Sequence, residues 1–229
     1  ELLARHRDAV PGNVRLLFQP AEEGGGGGGA RVMVAEGALR GVAEVYGLHN
    51  WPAFPKGQVH VKAGPMLAQV HILTLTITGK GGHASQPQIC RDPIVAGAQL
   101  VSALQTVVAR GLGYQGGAVL SITQFSAGTT HNVIPDSALL RGTVRSFHPE
   151  VTERVMERLR EVVEGTARSF GVSIELEVEV GYPVTMNHPR CAAAAARVAT
   201  QLVGAERVSE QGLPCAGGED FAYMAEAIP

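Results

Sequence analysis

The sequence predicts an α/β protein in which a complete βαββαβ unit is inserted into a region of alternating strands and helices, and three observations carry that prediction. Short apolar runs at Asn13–Phe18 and Ala43–Leu48 flank a helical stretch near Ala30–Leu39, which is the grammar of a βαβ unit. From Val70 onward Leu73, Leu75 and Ile77 alternate with Thr74, Thr76 and Thr78, the period of a half-buried strand. Beyond the insertion, Pro189–Val203 returns to helix, and Gly217-Gly218-Glu219-Asp220 forms a glycine turn before another helical start.

Each element of the inserted unit has its own signal. Asp92-Pro93 offers a capping side chain followed by proline at the first helical position, which predicts a helix to about Ala109, stopping near Gly111 and Gly113. Strands are expected at about 118–126 and 137–147. Pro149 opens a second helix in which Val151, Val155, Leu159, Val162, Val163 and Phe170 recur at three- and four-residue intervals. In the last strand Val172, Ile174, Leu176, Val178 and Val180 alternate with Ser173, Glu175, Glu177 and Glu179, and the acidic row discourages unwanted pairing. A four-stranded antiparallel sheet with two helices on one face follows. The expected boundaries are 1–66, 67–181 and 182–229, with the outer two segments forming one domain.

Composition narrows the function. The chain of 229 residues has 19 Lys+Arg against 21 Asp+Glu, a net charge of −2, so there is no basic excess to hold a phosphate backbone. No stretch approaches 18 consecutive apolar residues, and neither a nucleic acid nor a membrane is expected as a partner. Cys90, Cys191 and Cys215 are odd in number without a CxxC spacing, and no signal-peptide pattern opens the chain. Free thiols and a cytoplasmic location are therefore expected. Glu1–Val10 reads as the tail of a helix already under way, and Ala227-Ile228-Pro229 closes no element, which leads us to expect a fragment. Glycine, at 29 residues, is well above the roughly 7% of ordinary chains. Six of the 29 form the run Gly24–Gly29, which lies inside a βαβ unit and lacks the Lys-Ser/Thr ending of a phosphate loop.

Two groups of side chains could carry chemistry. Glu22 and Glu23, in Gln19-Pro20-Ala21-Glu22-Glu23, stand at the end of the first expected strand, and His49, in Gly47-Leu48-His49-Asn50-Trp51-Pro52, at the end of the next. Adjacent carboxylates are ordinarily solvated charge, and a single histidine is ordinarily structural. Carboxylate oxygen and imidazole nitrogen along one sheet edge also suit Zn²⁺ or Mn²⁺. Two ligands do not complete a coordination shell, so both readings stay open at this point.

Six motifs then occur in one order: QPAEE with following glycines, GLHNWP, GKGGHAS, HNVIPD, GTVRSF and GGEDFAY. Together they resemble the M20 metallopeptidases, in particular the amidohydrolase branch that includes hippurate hydrolase, N-acyl-amino-acid hydrolases and auxin-conjugate hydrolases. The resemblance implies a zinc-peptidase-like α/β catalytic domain interrupted by a ferredoxin-like lid that also forms a homodimer. It implies a general-base role for Glu22, and metal ligation by Glu23 and His49 at a site of two divalent ions. His83 would stabilise the oxyanion in the partner's site, with Asn132 as a second lid contact. Arg145 would hold the free carboxylate of an N-acyl amino acid, while Gly217 and Gly218 would line the substrate. For His83 a polar turn, and for Arg145 a salt bridge on a strand face, are the plain alternatives. The role of Glu219 is left open.

The branch also takes metal ligands from a Cys-Gly-His-Asp type motif and from a further histidine motif, neither of which is present among the 229 residues. The 229-residue chain alone is therefore expected to be inactive. A rival from another class is a non-catalytic dimerisation or small-molecule-binding module, since fold does not fix function.

Overall fold

The computed structural model describes residues 1–23, 28–112 and 117–229. Most of the glycine run, 24–27, and Gly113 of the expected helix stop lie outside the described residues. In chain order the elements are α1 (Leu2–Arg5), α2 (Gly28–Ala35), β1 (Val59–His60), β2 (Gly64–Leu67), β3 (Gln69–Thr78), β4 (Gly82–His83), α3 (Pro93–Gly111), β5 (Ala118–Ala127), β6 (Val133–Ile134), β7 (Ser137–Ser146), α4 (Pro149–Phe170), β8 (Ser173–Val180), β9 (Thr185–Asn187), α5 (Pro189–Val203), β10 (Val208–Ser209) and α6 (Ala222–Ala227).

The inserted unit forms as its patterning requires. Its sheet has the order β5-β7-β3-β8 with every pair antiparallel. Leu73, Leu75 and Ile77 of β3 and Leu140 and Val144 of β7 point to one face and are fully buried there. Leu100, Leu104 and Val107 of α3 and Val155, Leu159 and Val163 of α4 cover that face, completing one apolar core. Asp92 caps α3, its Oδ1 accepting from the amides of Ile94 at 2.8 Å and Val95 at 3.4 Å. α3 is long and apolar enough to cross a membrane by length and composition. In place, its Ala96, Leu100 and Leu104 are buried against the sheet. α4 ends at Gly171, whose φ of +64° is the left-handed stop that glycine favours.

The chain leaves for the unit and returns from it at one place. Gly181 N–H donates to Val70 O at 2.9 Å, Val70 N–H to Tyr182 O at 3.2 Å, and Ala68 N–H to Gly217 O at 2.8 Å. On either side of this junction β2 pairs with β9 and β1 with β10, so segments before and after the insertion hold each other. A second, smaller core joins α2 to α6 through Ala30, Leu39 and Met224, with Leu17, Val45 and Phe221 packed against it.

Two expected strands are corrected. Asn13–Phe18 and Ala43–Leu48 have no strand ladder, and Leu16, Phe18, Tyr46 and Leu48 are exposed. An apolar run becomes a strand only where a neighbour supplies hydrogen bonds, and among the described residues no strand flanks either run. Val45 N–H instead donates to Pro229 O at 2.8 Å. The expected helix tail at Glu1–Val10 is only the single turn α1 followed by a 3₁₀ turn at Arg7–Ala9. Cys90, Cys191 and Cys215 are free thiols.

His71, on the core side of β3, is 7% exposed, and its Nδ1 has no partner among the described residues. Burial holds its pKa below the ordinary 6.5. The unfolded chain therefore takes up the proton first, and this side chain's contribution to stability falls as the pH drops below about 6.5. Urea denaturation from pH 7.5 to 5 should show a smaller acid loss for His71→Phe than for the wild type, and parallel curves would contradict this.

Candidate functional site

The Gln19–Glu23 segment turns sharply before Glu22. Ala21 has φ of +57°, a left-handed conformation that costs a non-glycine residue of order 1 kcal/mol or more and that surrounding contacts must hold. Those contacts exist. The Tyr182 hydroxyl donates to the Glu22 carbonyl from the junction of the inserted unit, and the Gln19 side-chain amide donates to Asp220 Oδ1. Glu22, Glu219 and Asp220 each place a carboxylate oxygen within 4.8 Å of the others. Burial raises the Glu22 pKa, and the charges of Glu219, Glu23 and Asp220 add to the rise while His49 opposes it. Burial likewise raises Glu219, whose Oε1 accepts the Phe221 amide at 3.2 Å.

His49 faces this group. Its Nδ1 lies 3.0 Å from Asn50 O, which can only accept, so Nδ1 carries the proton and Nε2 offers its lone pair. That Nε2 is 3.8 Å from Glu219 Oε2. The imidazole lies 5.1 Å from the Trp51 ring, and a Cβ at Gly217 would stand 2.8 Å from the same indole. A Cβ at Gly218 would stand 2.8 Å from Val70 Cγ2. Both glycines are thus needed for close packing of the GGEDF loop between Trp51 and the junction. Arg145, on the sheet face away from the helices, donates from Nη1 to Ala216 O at 2.7 Å, placing its guanidinium beside that loop.

His83 and Asn132 are brought together, but elsewhere. β4 pairs with β6, and Ala84 N–H donates to Asn132 O at 3.0 Å. The ribbon lies beyond Thr78, at the opposite end of β3 from the junction. A ten-residue strand spans about 30 Å, so within one chain the two residues stand far from His49. His83 Nδ1 accepts the Ser85 amide at 3.2 Å, which leaves a donating Nε2–H on an exposed side chain. His131, beside Asn132 in HNVIPD, is exposed.

The structure therefore gathers Glu22, His49 and the Gly217-Gly218 loop with Arg145, and keeps His83 and Asn132 apart. Among the described residues the mutually close carboxylates do not include Glu23, which is exposed. Sequence reasoning undervalued Glu219 and missed Asp220. The signal available was GGEDF itself, where two acids follow two glycines. Glu22 and Glu219, whose pKa values burial and neighbouring charge raise, form beside an imidazole with a free lone pair a donor set that fits a divalent cation.

The whole chain is similar to known proteins. The sequence model of peptidase family M20/M25/M40 matches residues 1–229. N-acetylcysteine deacetylase of Bacillus subtilis is 42% identical over 228 residues, covering 100% of this chain and 59% of that protein. Hippurate hydrolase of Campylobacter jejuni is 35% identical over 217 residues, covering 94% of this chain and 56% of that protein. The crystal structure of a Bacillus subtilis M20 protein, described as a dinuclear metal-binding peptidase, superposes with a TM-score of 0.77 at 38% identity, covering 100% of this chain and 57% of that one. The chain thus spans a little over half the length of the relatives it matches.

Proposed function

This chain belongs to peptidase family M20/M25/M40, and from that premise we propose that the whole protein hydrolyses the amide bond of N-acyl amino acids, using divalent metal ions. The observation that carries the reading is the convergence of Glu22, Glu219 and His49, with Arg145 beside the same loop. A non-catalytic module has no use for that convergence. We read residues 1–66 and 182–229 as parts of one catalytic domain and 67–181 as a ferredoxin-like lid.

Glu23 and His49 would hold metal, two ions of zinc or manganese per site in the whole protein, with Glu219 beside them. A bound divalent ion supplies Lewis acidity, polarising a carbonyl and lowering the pKa of water. Glu22 takes the proton from the attacking water and returns it to the departing amine. Arg145, with four further N–H donors beyond its bond to Ala216, pairs with the substrate's free carboxylate.

His83 and Asn132 fit this scheme across a homodimer. At about 30 Å from the junction their own chain cannot use them there, whereas a second copy can. The outer edge of the sheet supports such pairing. β5 is ten residues long and carries no charged side chain, with Val119 and Phe125 exposed, whereas β8 presents Glu175, Glu177 and Glu179. Unprotected edges invite a partner strand. Sedimentation of the protein as a monomer at assay concentration would count against this arrangement. We place the protein in the cytoplasm, on the free cysteines alone.

The reading is tested with N-acetyl- and N-benzoyl-amino acids, following release of the free amino acid. The protein at its full length, loaded with zinc or manganese, should hydrolyse members of the panel, and a chelator should abolish the rate. The 229 residues alone should be inactive. No hydrolysis by the metal-loaded full-length protein overturns the proposal.

A further inference from the structure

Helix α2 begins without a local side chain able to cap it. The first amides of a helix need acceptors, normally the side chain of Ser, Thr, Asp or Asn at its start. Here positions Gly24 to Gly29 are all glycine. The acceptor comes from the other end of the chain instead. Asp220 Oδ2 accepts the Ala30 amide at 2.9 Å, and its Oδ1 accepts the side-chain amide of Gln19. Asp220 is wholly buried, with 0% exposure, and both oxygens are engaged.

The glycines make this approach possible. Gly28 has φ of +66°, and a Cβ there would fall within the Asp220 carboxylate. A Cβ at Gly29 would fall on the Pro20 carbonyl. The described end of the glycine run is therefore clearance for a carboxylate and a carbonyl of the protein itself.

We propose that Asp220 is a positioning residue, which caps α2 from a distance, anchors Gln19, and thereby fixes Glu22 opposite Glu219. The bonds join segments 190 and 201 positions apart, and Glu22 lies between the two anchored points. Gln19 holds one side of the strained turn at Ala21, and the start of α2 holds the other. Asp220 works through hydrogen bonds rather than as a metal ligand. For its effect on rate the inference rests on the hydrolase reading. For its effect on structure it does not.

The test uses the full-length metal-loaded protein, with amide exchange across residues 29–33, metal content, and kcat and KM read separately. Asp220→Ala should speed exchange about 3- to 30-fold, the range of a lost helix cap. It should lower kcat ~10- to 100-fold, as expected for a displaced catalytic group. KM and metal content should stay near wild type. Asp220→Asn should rescue both exchange and kcat. The asparagine oxygen takes the place of Oδ2 and accepts from Ala30, and its amide donates to Gln19 once the Gln19 side chain flips. A ligand or a purely electrostatic role predicts that Asn fails as badly as Ala, with metal lost in the first case, and either result overturns the inference.

If Asp220→Ala does not fold, Gln19→Glu decides. Alone it sets two carboxylates in part-buried contact and should be impaired, and combined with Asp220→Asn it should recover. A double variant no better than Gln19→Glu refutes the contact's role. Should the wild type hydrolyse no N-acyl amino acid, the functional reading fails, while the exchange data still judge the cap.

Discussion

Replacing Glu22 by Gln is expected to leave bound metal in place and to lower kcat by about 10²- to 10⁴-fold, the usual contribution of a general base. The glutamine keeps the size and hydrogen-bonding reach of the side chain but cannot take a proton. KM should move little, because the lost interaction belongs to the transition state. The structure makes a sharp alternative available, since Glu22 lies among the mutually close carboxylates. Loss of metal in Glu22→Gln would make Glu22 a ligand and shift the base role to Glu219. The same variant tests the proposed homodimer. Mixed and allowed to exchange with an equally inactive His83→Ala chain, it should recover about a quarter of the wild-type rate. Half of the dimers are then mixed, and one site in each mixed dimer is intact. No recovery on mixing would place His83 outside the partner's site.

Arg145→Ala should raise KM for substrates with a free carboxylate by ~10- to 150-fold, corresponding to the roughly 1.5–3 kcal/mol of a hydrogen bond to a charged group. Amide-capped analogues should be nearly unaffected. The bond from Arg145 Nη1 to Ala216 O supplies a second possible role, holding the GGEDF loop against the sheet. If that is its whole role, capped and uncapped substrates lose equally, and Arg145→Lys restores neither. A planar guanidinium can serve the carbonyl and a carboxylate at once, which a lysine cannot do with the same geometry.

The inserted unit was legible because each of its elements is coded locally. Asp92-Pro93 starts α3, Gly171 stops α4, and strict alternation marks β3 and β8. Asn13–Phe18 and Ala43–Leu48 were misread because strand formation depends on neighbours that the run's own residues do not encode. Placing Glu22 and His49 at adjacent strand ends therefore rested on the wrong elements. The two side chains nevertheless come together, through a strained turn at Ala21 and the packing of Trp51 on Gly217. Glu219 and Asp220 were harder to see. Their importance comes from contacts about 170 to 200 positions away, with His49, Ala30 and Gln19, and no local pattern announces such a contact.

The contrast between the two sheet edges limits how far association can go. Two copies joined through β5, as proposed, would use the same edge on both chains, so the contact would be self-complementary and would consume the uncharged edge of the four-stranded sheet. What then faces outward on each side is β8, where another β8 would set glutamates against glutamates. In the proposed homodimer growth would stop at a closed pair instead of running on into an open-ended ribbon.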